Sequence, residues 1–129
     1  MNGFKSMVEC IECKSTFQID PSNVVKEEFE GQEGNRIWIT YYDCPECGRR
    51  HYVQIDDEQT ERLLAELTKR MGLLMVLRRN GKEASKKQRR EFDGTKRHLA
   101  ELRRKLMEQY QECEVTAKDG RVEKVGFVV

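Results

Sequence analysis

The chain has no long hydrophobic run. Its longest apolar stretch, Leu73 to Leu77, is far short of the roughly 20 residues that cross a bilayer, and the amino-terminal MNGFKSMVE lacks the apolar segment of a secretory leader. A soluble, cytoplasmic protein with no membrane partner is the expectation. Also missing are a nucleophile beside a general base, a glycine loop that cradles phosphate, and paired carboxylates at catalytic spacing. No enzyme activity is therefore expected. Apolar residues are scarce as well: 37% against 36% charged over 129 residues, enough for one ordinary domain or two very small ones with a modest core. Such a core calls for a staple.

Cysteine is the candidate. Five cysteines in a reducing compartment argue against a disulfide framework, and the odd count would leave one over. Four of them fall into two C-x-x-C pairs, Cys10 and Cys13 in VECIECK and Cys44 and Cys47 in YYDCPECGRR. Two residues between cysteines let one tight turn aim both sulfurs at a point, and two such turns complete a tetrahedral site for zinc. Pro45 restricts the second turn and Gly48 permits a positive φ, while Lys14, Arg49 and Arg50 stand near a cluster of net negative charge. With four thiolates there is no open position for water, so one Zn2+ per chain is expected in a structural role. A redox C-x-x-C and an iron-sulfur centre are the alternatives for the same sulfurs; the first needs a βαβ context that the sequence lacks.

The elements around these turns read as short strands. Arg36 to Tyr42 and His51 to Asp56 alternate and are rich in β-branched and aromatic residues, and Val24 to Phe29 leads through Gly31 to Gly34 into the first of them. C-x-x-C, about 30 residues containing a hairpin, and then C-P-E-C-G followed by basic residues resembles the zinc ribbon of transcription elongation factors and bacterial nucleotide-reductase repressors. The resemblance covers about residues 7 to 56 and implies the ribbon fold with Cys10, Cys13, Cys44 and Cys47 as ligands. His51 stands where such ribbons often carry an aromatic, and the acidic hairpin lacks the catalytic Asp-Glu pair of an elongation factor, so that activity is not implied. His51 is expected to be an ordinary strand histidine.

Charge divides the chain. Residues 1–61 carry 6 basic and 13 acidic side chains, net −7, whereas residues 62–112 carry 15 and 7, net +8. Periodicity changes at the same place. Asp56 to Gln59 has capping-box spacing, and Leu64, Leu67, Met71, Leu74 and Leu77 then form one helical stripe ending at Asn80-Gly81. Leu99, Leu102, Leu106, Tyr110 and Cys113 form a second, which predicts an antiparallel helical hairpin. Cys113 and His98 are expected to be structural members of that helix.

Register decides what lies between the stripes. A tight turn at Asn80-Gly81 would set Met71 and Leu67 against Arg90 and Gly94 and leave Leu99 to Tyr110 overhanging the start of the first helix. Re-entry near Thr95 instead sets Leu74 against Leu99 and Leu64 against Tyr110, and this second register is preferred, with Asp93-Gly94-Thr95 as stop and restart. It predicts a basic excursion at the tip. Residues 78–97 hold nine cations there, Arg78, Arg79, Lys82, Lys86, Lys87, Arg89, Arg90, Lys96 and Arg97, against three acids. Val115 to Val129 turns at Asp119-Gly120 into a hairpin.

The expected architecture is α+β: a four-cysteine zinc-ribbon β-module over 1–56, an antiparallel helical hairpin over 57–112 with its basic tip at 78–97, and a short C-terminal β-hairpin over 113–129. Its expected function is a non-enzymatic protein-protein interaction or assembly module, with a larger assembly as partner and homo-oligomers formed through the hairpin. In style it resembles small accessory or virion-associated proteins of bacteriophages. The alternative is a nucleic-acid binder whose basic tip, with Arg49 and Arg50, grips phosphates while Trp38, Tyr41 or Tyr42 touches bases. A zinc-dependent redox sensor is a third reading.

Overall fold

The computed structural model describes residues 6–127. Among them the fold is α+β, with two helices and two antiparallel sheets. A small sheet pairs β1, Ser6–Glu9, with β2, Thr16–Ile19. A second sheet contains β3 (Val25–Glu30), β4 (Arg36–Asp43), β5 (Arg50–Asp57), β6 (Cys113–Ala117) and β7 (Val122–Val125), in the order β5-β4-β3-β6-β7. The helices are α1, Glu58–Arg79, and α2, Lys86–Gln109. Two compact units result: residues 1–55 with 107–129, and residues 56–106.

In the first unit the period-two pattern of β4 buries Ile37, Ile39 and Tyr41 and turns Trp38, Thr40 and Tyr42 outward, half-buried. Phe29 is the centre of that core, since it pairs with Ile37 across one side of β3 and with Ala117 across the other. The strands expected of a self-contained amino-terminal ribbon therefore share a sheet with the C-terminal hairpin. That sheet also curls. β5 and β7 stand at opposite ends of the strand order, yet Tyr52 forms a parallel bridge with Phe127 and donates its hydroxyl to Glu123 at 2.8 Å. A three-strand meander, a return of β6 to its first strand and this single bridge between the two ends give a five-stranded, barrel-like sheet.

In the second unit the helix start lies one residue later than the sequence suggests. Asp57, not Asp56, is the N-cap: its carboxylate accepts from the Thr60 amide at 2.9 Å, and the Thr60 hydroxyl accepts from the Asp57 amide at 2.8 Å. Asp56 is fully buried and takes the Arg103 guanidinium at 2.7 Å. α1 ends in a Schellman turn, with the Lys82 amide donating to the Leu77 carbonyl at 2.8 Å and Gly81 at a φ of 70°.

The structure departs from the preferred register and from the stop and restart expected at Asp93-Gly94-Thr95. α2 begins at Lys86 and runs through Gly94 without a break. Ser85 caps it with a capping box: Gln88 donates its amide to Ser85 Oγ at 3.1 Å, and Ser85 donates its own to Gln88 Oε1 at 2.8 Å. The pairs Arg70–Glu91, at 2.7 Å, and Asp56–Arg103 make the helices antiparallel and set Leu99 level with the first turn of α1. Tyr110 overhangs, as the rejected register requires, but the overhang is not wasted. Tyr110 is buried in the barrel unit, where its hydroxyl accepts from the Gln32 amide at 3.0 Å over the Cα of Gly31. Cys113 is not helical but opens β6, its Sγ accepting from Gln32 Nε2 at 3.2 Å.

Candidate metal centre

Two turns of nearly identical construction carry the four cysteines. In the first, between β1 and β2, the Cys10 amide donates to the Ser15 carbonyl at 2.9 Å and the Lys14 amide donates back to Cys10 at 2.9 Å. In the second, between β4 and β5, Cys44 donates to Arg49 at 2.9 Å and Gly48 to Cys44 at 2.8 Å. Each turn places its residue after the second cysteine in the left-handed region, Gly48 at a φ of 74° and Lys14 at 63°. Gly48 is legible in the sequence as such a position; Lys14 is not, because a lysine carries no signal for that conformation.

The turns bring all four sulfurs within 4.8 Å of one another. Cys10 Sγ lies 3.6 Å from Cys47 Sγ, and Cys13 Sγ lies 3.7 Å from Cys44 Sγ. Metal–sulfur bonds of about 2.3 Å around a tetrahedral ion require sulfur–sulfur edges of about 3.8 Å, whereas a disulfide requires about 2.05 Å. The residues present thus fit one metal ion bound by four thiolates. Cys10 and Cys44 are buried while Cys13 and Cys47 are exposed, so one edge of the site is open to solvent.

The local electrostatics separate the two exposed thiols. The Ser15 hydroxyl, then its amide, hold Cys13 down at about 6. The Arg49 amide pulls on Cys47 too, but desolvation and the other three sulfurs outweigh it and push that thiol up to about 12. Burial and the neighbouring Cys10 and Cys44 sulfurs also raise the Tyr42 hydroxyl. Arg49 bridges the turns through Glu12 at 3.5 Å, an exposed pair of little energetic weight. His51 lies in β5 with its ring stacked on Tyr42 at 5.1 Å, outside the sulfur group.

Arg50 and Tyr41 have a different place from the one expected for them. The Arg50 guanidinium lies 3.9 Å above the Tyr41 ring and bonds Asp43 at 2.9 Å and Glu123 at 3.0 Å. Tyr41 is buried and donates to Glu27 at 2.6 Å, and burial together with that carboxylate pushes its hydroxyl up to about 12. Tyr52 and Arg121 complete this ring of charged and aromatic groups around Glu123. The network leaves no sequence signal because its members come from β3, β4, β5, β7 and the turn before β7, and only the curled sheet brings them together. Neither Tyr41 nor Arg50 is free for a base or a phosphate.

All nine cations of 78–97 are exposed. Arg78 and Arg79 close α1, Lys82 lies in the turn, Lys86, Lys87, Arg89 and Arg90 occupy the first turns of α2, and Lys96 and Arg97 follow on the same helix. His98, on α2, is exposed. No described helix is long and apolar enough to cross a membrane. No family model, no curated protein and no solved structure matches the chain.

Proposed function

We propose that this protein is a non-enzymatic interaction module in which zinc at Cys10, Cys13, Cys44 and Cys47 staples two ribbon-like turns and the helical unit binds another protein, as part of a larger assembly. The observation that carries the proposal is the outer side of α1, where Met71, Leu73, Met75 and Val76 are 45 to 55% exposed. Four large apolar side chains within two turns are a contiguous patch of the kind that marks an interaction site. A closed set of four thiolates supports zinc in a structural role, since a catalytic ion keeps a position for water. The nucleic-acid reading retains the exposed basic tip, the exposed Arg49 and the half-buried Tyr42. Tyr41 is buried, Arg50 is bonded to carboxylates, Trp38 is covered by Arg36 at 5.1 Å, and Glu28 and Glu30 border the same face of the sheet.

The test is recovery of native complexes from the source cell with wild type and with Met75→Glu. Loss of a protein partner from the variant, with one zinc per chain retained by native mass, is the expected result. Complexes that survive Met75→Glu but dissolve on replacing Lys86, Lys87, Arg89 and Arg90 by Gln, with nucleic-acid affinity falling steeply as salt rises, would establish the other reading.

A further inference from the structure

We propose that the outer face of α1 from Thr68 to Arg79 is a docking site for an acidic amphipathic helix of a partner protein. This rests on the interaction-module reading and specifies its surface and its partner's chemistry.

The shape of the face comes first. Met71 to Leu77 has no polar residue in nearly two turns, yet a single neighbouring helix can cover only one side of it. Leu74 and Leu77 are half-buried; Met71, Leu73, Met75 and Val76 are left exposed. Gly72 lies among them, and a Cβ there would meet nothing within 4 Å. On a helix, residues at i, i+3, i+4 and i+7 frame the hole into which a partner helix inserts a side chain. Thr68, Met71, Gly72 and Met75 frame one such hole, and Gly72, Met75, Val76 and Arg79 frame the next, with the glycine as the shared low point. Two consecutive holes suit a helix better than an extended strand, and methionines let the walls adapt to it.

Charge then chooses among helices. Of the nine cations in residues 69–90, eight are exposed against a single acid, Glu83, while Arg70 is held by Glu66 and Glu91. A second copy of the chain seated on this face would bring that cationic cluster against its own image, which disfavours self-pairing. The cations at the start of α2 are placed against the positive end of its own dipole, with no acid in the first turn, so the tip concentrates positive potential at a cost to the free helix. Carboxylates on a partner helix offset both.

The probes are two synthetic helices of four heptads with Leu at a and d, one with Glu and one with Lys at the remaining charged positions, titrated against the full-length zinc-loaded protein. The Glu peptide is expected to bind, to weaken about tenfold between low and physiological salt, and to lose binding on Met75→Glu. The Lys peptide is expected not to bind. The proposal is overturned if both peptides or neither bind, if Met75→Glu leaves the Glu peptide bound, if the protein dimerises through Met75, or if anionic phospholipid vesicles capture it in a Met75-dependent way in preference to the peptide. Circular dichroism and zinc content of Met75→Glu show whether the variant is folded, and Gly72→Leu, which fills the shared hole without changing charge, is the second variant. If the Glu peptide fails while Met75→Glu still loses its native protein complexes, only the partner chemistry falls; if those complexes survive, the interaction-module reading falls as well.

Discussion

The contact between Gly31 and Tyr110 gives the sharpest quantitative test of how the barrel is closed. Gly31 lies at φ −99° and ψ −151°, extended backbone that alanine tolerates, so Gly31→Ala adds only a methyl group. That methyl meets Tyr110 Oη at well under contact distance, Cε1 at 2.8 Å and Cζ at 2.9 Å. The fully buried ring must move, which costs about 1–3 kcal/mol as overpacking. Moving it also strips the Gln32 amide of its acceptor, a further ~1 kcal/mol. The expected loss is about 2–4 kcal/mol, a large share of a stability of roughly 5–15 kcal/mol. Urea unfolding followed by the fluorescence of Trp38, the single tryptophan and a member of the same unit, measures it. Tyr110→Phe should cost about 1 kcal/mol by itself, and Gly31→Ala should cost less in that background, because the closest clashing atom is gone. A loss below ~0.5 kcal/mol for Gly31→Ala, or the same loss in both backgrounds, would show that the ring does not lean on this glycine.

Elemental analysis of protein prepared under reducing conditions should find one zinc per chain, and chelation should abolish the near-ultraviolet signal of the first unit; protein that is metal-free and folded contradicts the staple. Gly94→Ala, where a Cβ meets nothing within 4 Å in the middle of α2, should stabilise the helical unit by about 0.5–1 kcal/mol, whereas a loss of stability would restore the break that the sequence suggests there. Arg103→Ala removes the guanidinium that the fully buried Asp56 carboxylate takes and should cost about 3 kcal/mol, with Arg103→Ala/Asp56→Leu recovering part of it; an unchanged melting temperature for the single variant refutes this. Tyr41, pushed up to about 12 in the fold, favours folding while it is protonated in both states. That stability is complete below pH ~10 and is lost as pH rises from 10 through about 12, so Tyr41→Phe should show a shallower alkaline decline than wild type; equal slopes between pH 10 and 12 would count against the burial of this hydroxyl.

Each misplacement in the helical unit traces to a local signal weighed without its competitor. Gly94 reads as a stop because glycine weakens a helix interior by about 1 kcal/mol, but the Ser85–Gln88 capping box, the Arg70–Glu91 pair and the continuous stripe outweigh it. Ser85-Lys86-Lys87-Gln88 is a visible capping-box pattern, obscured by the charge around it. The overhang of Tyr110 looks like an error only while the second helix is assumed to pack on the first alone. Its real partners, Gly31 and Gln32, are nearly 80 residues away in sequence.

Short-range chemistry was therefore decided by the sequence itself. Two C-x-x-C turns carry their own backbone hydrogen bonds and their own left-handed residue, so the grouping of four sulfurs follows from spacing that any small antiparallel framework can satisfy. The strands around Trp38 and Tyr52 and the two amphipathic helices follow likewise from periods of two and 3.6 residues. Only the tertiary structure decided that β6 joins β3, that Tyr52 meets Phe127 to curl the sheet, and that Arg50 serves Asp43 and Glu123 and not the four-cysteine cluster. These contacts join residues whose separation along the chain leaves no periodic trace. They are held by the burial of Phe29, Ile37, Val115 and Tyr110, which takes apolar surface from strands far apart in the chain out of water.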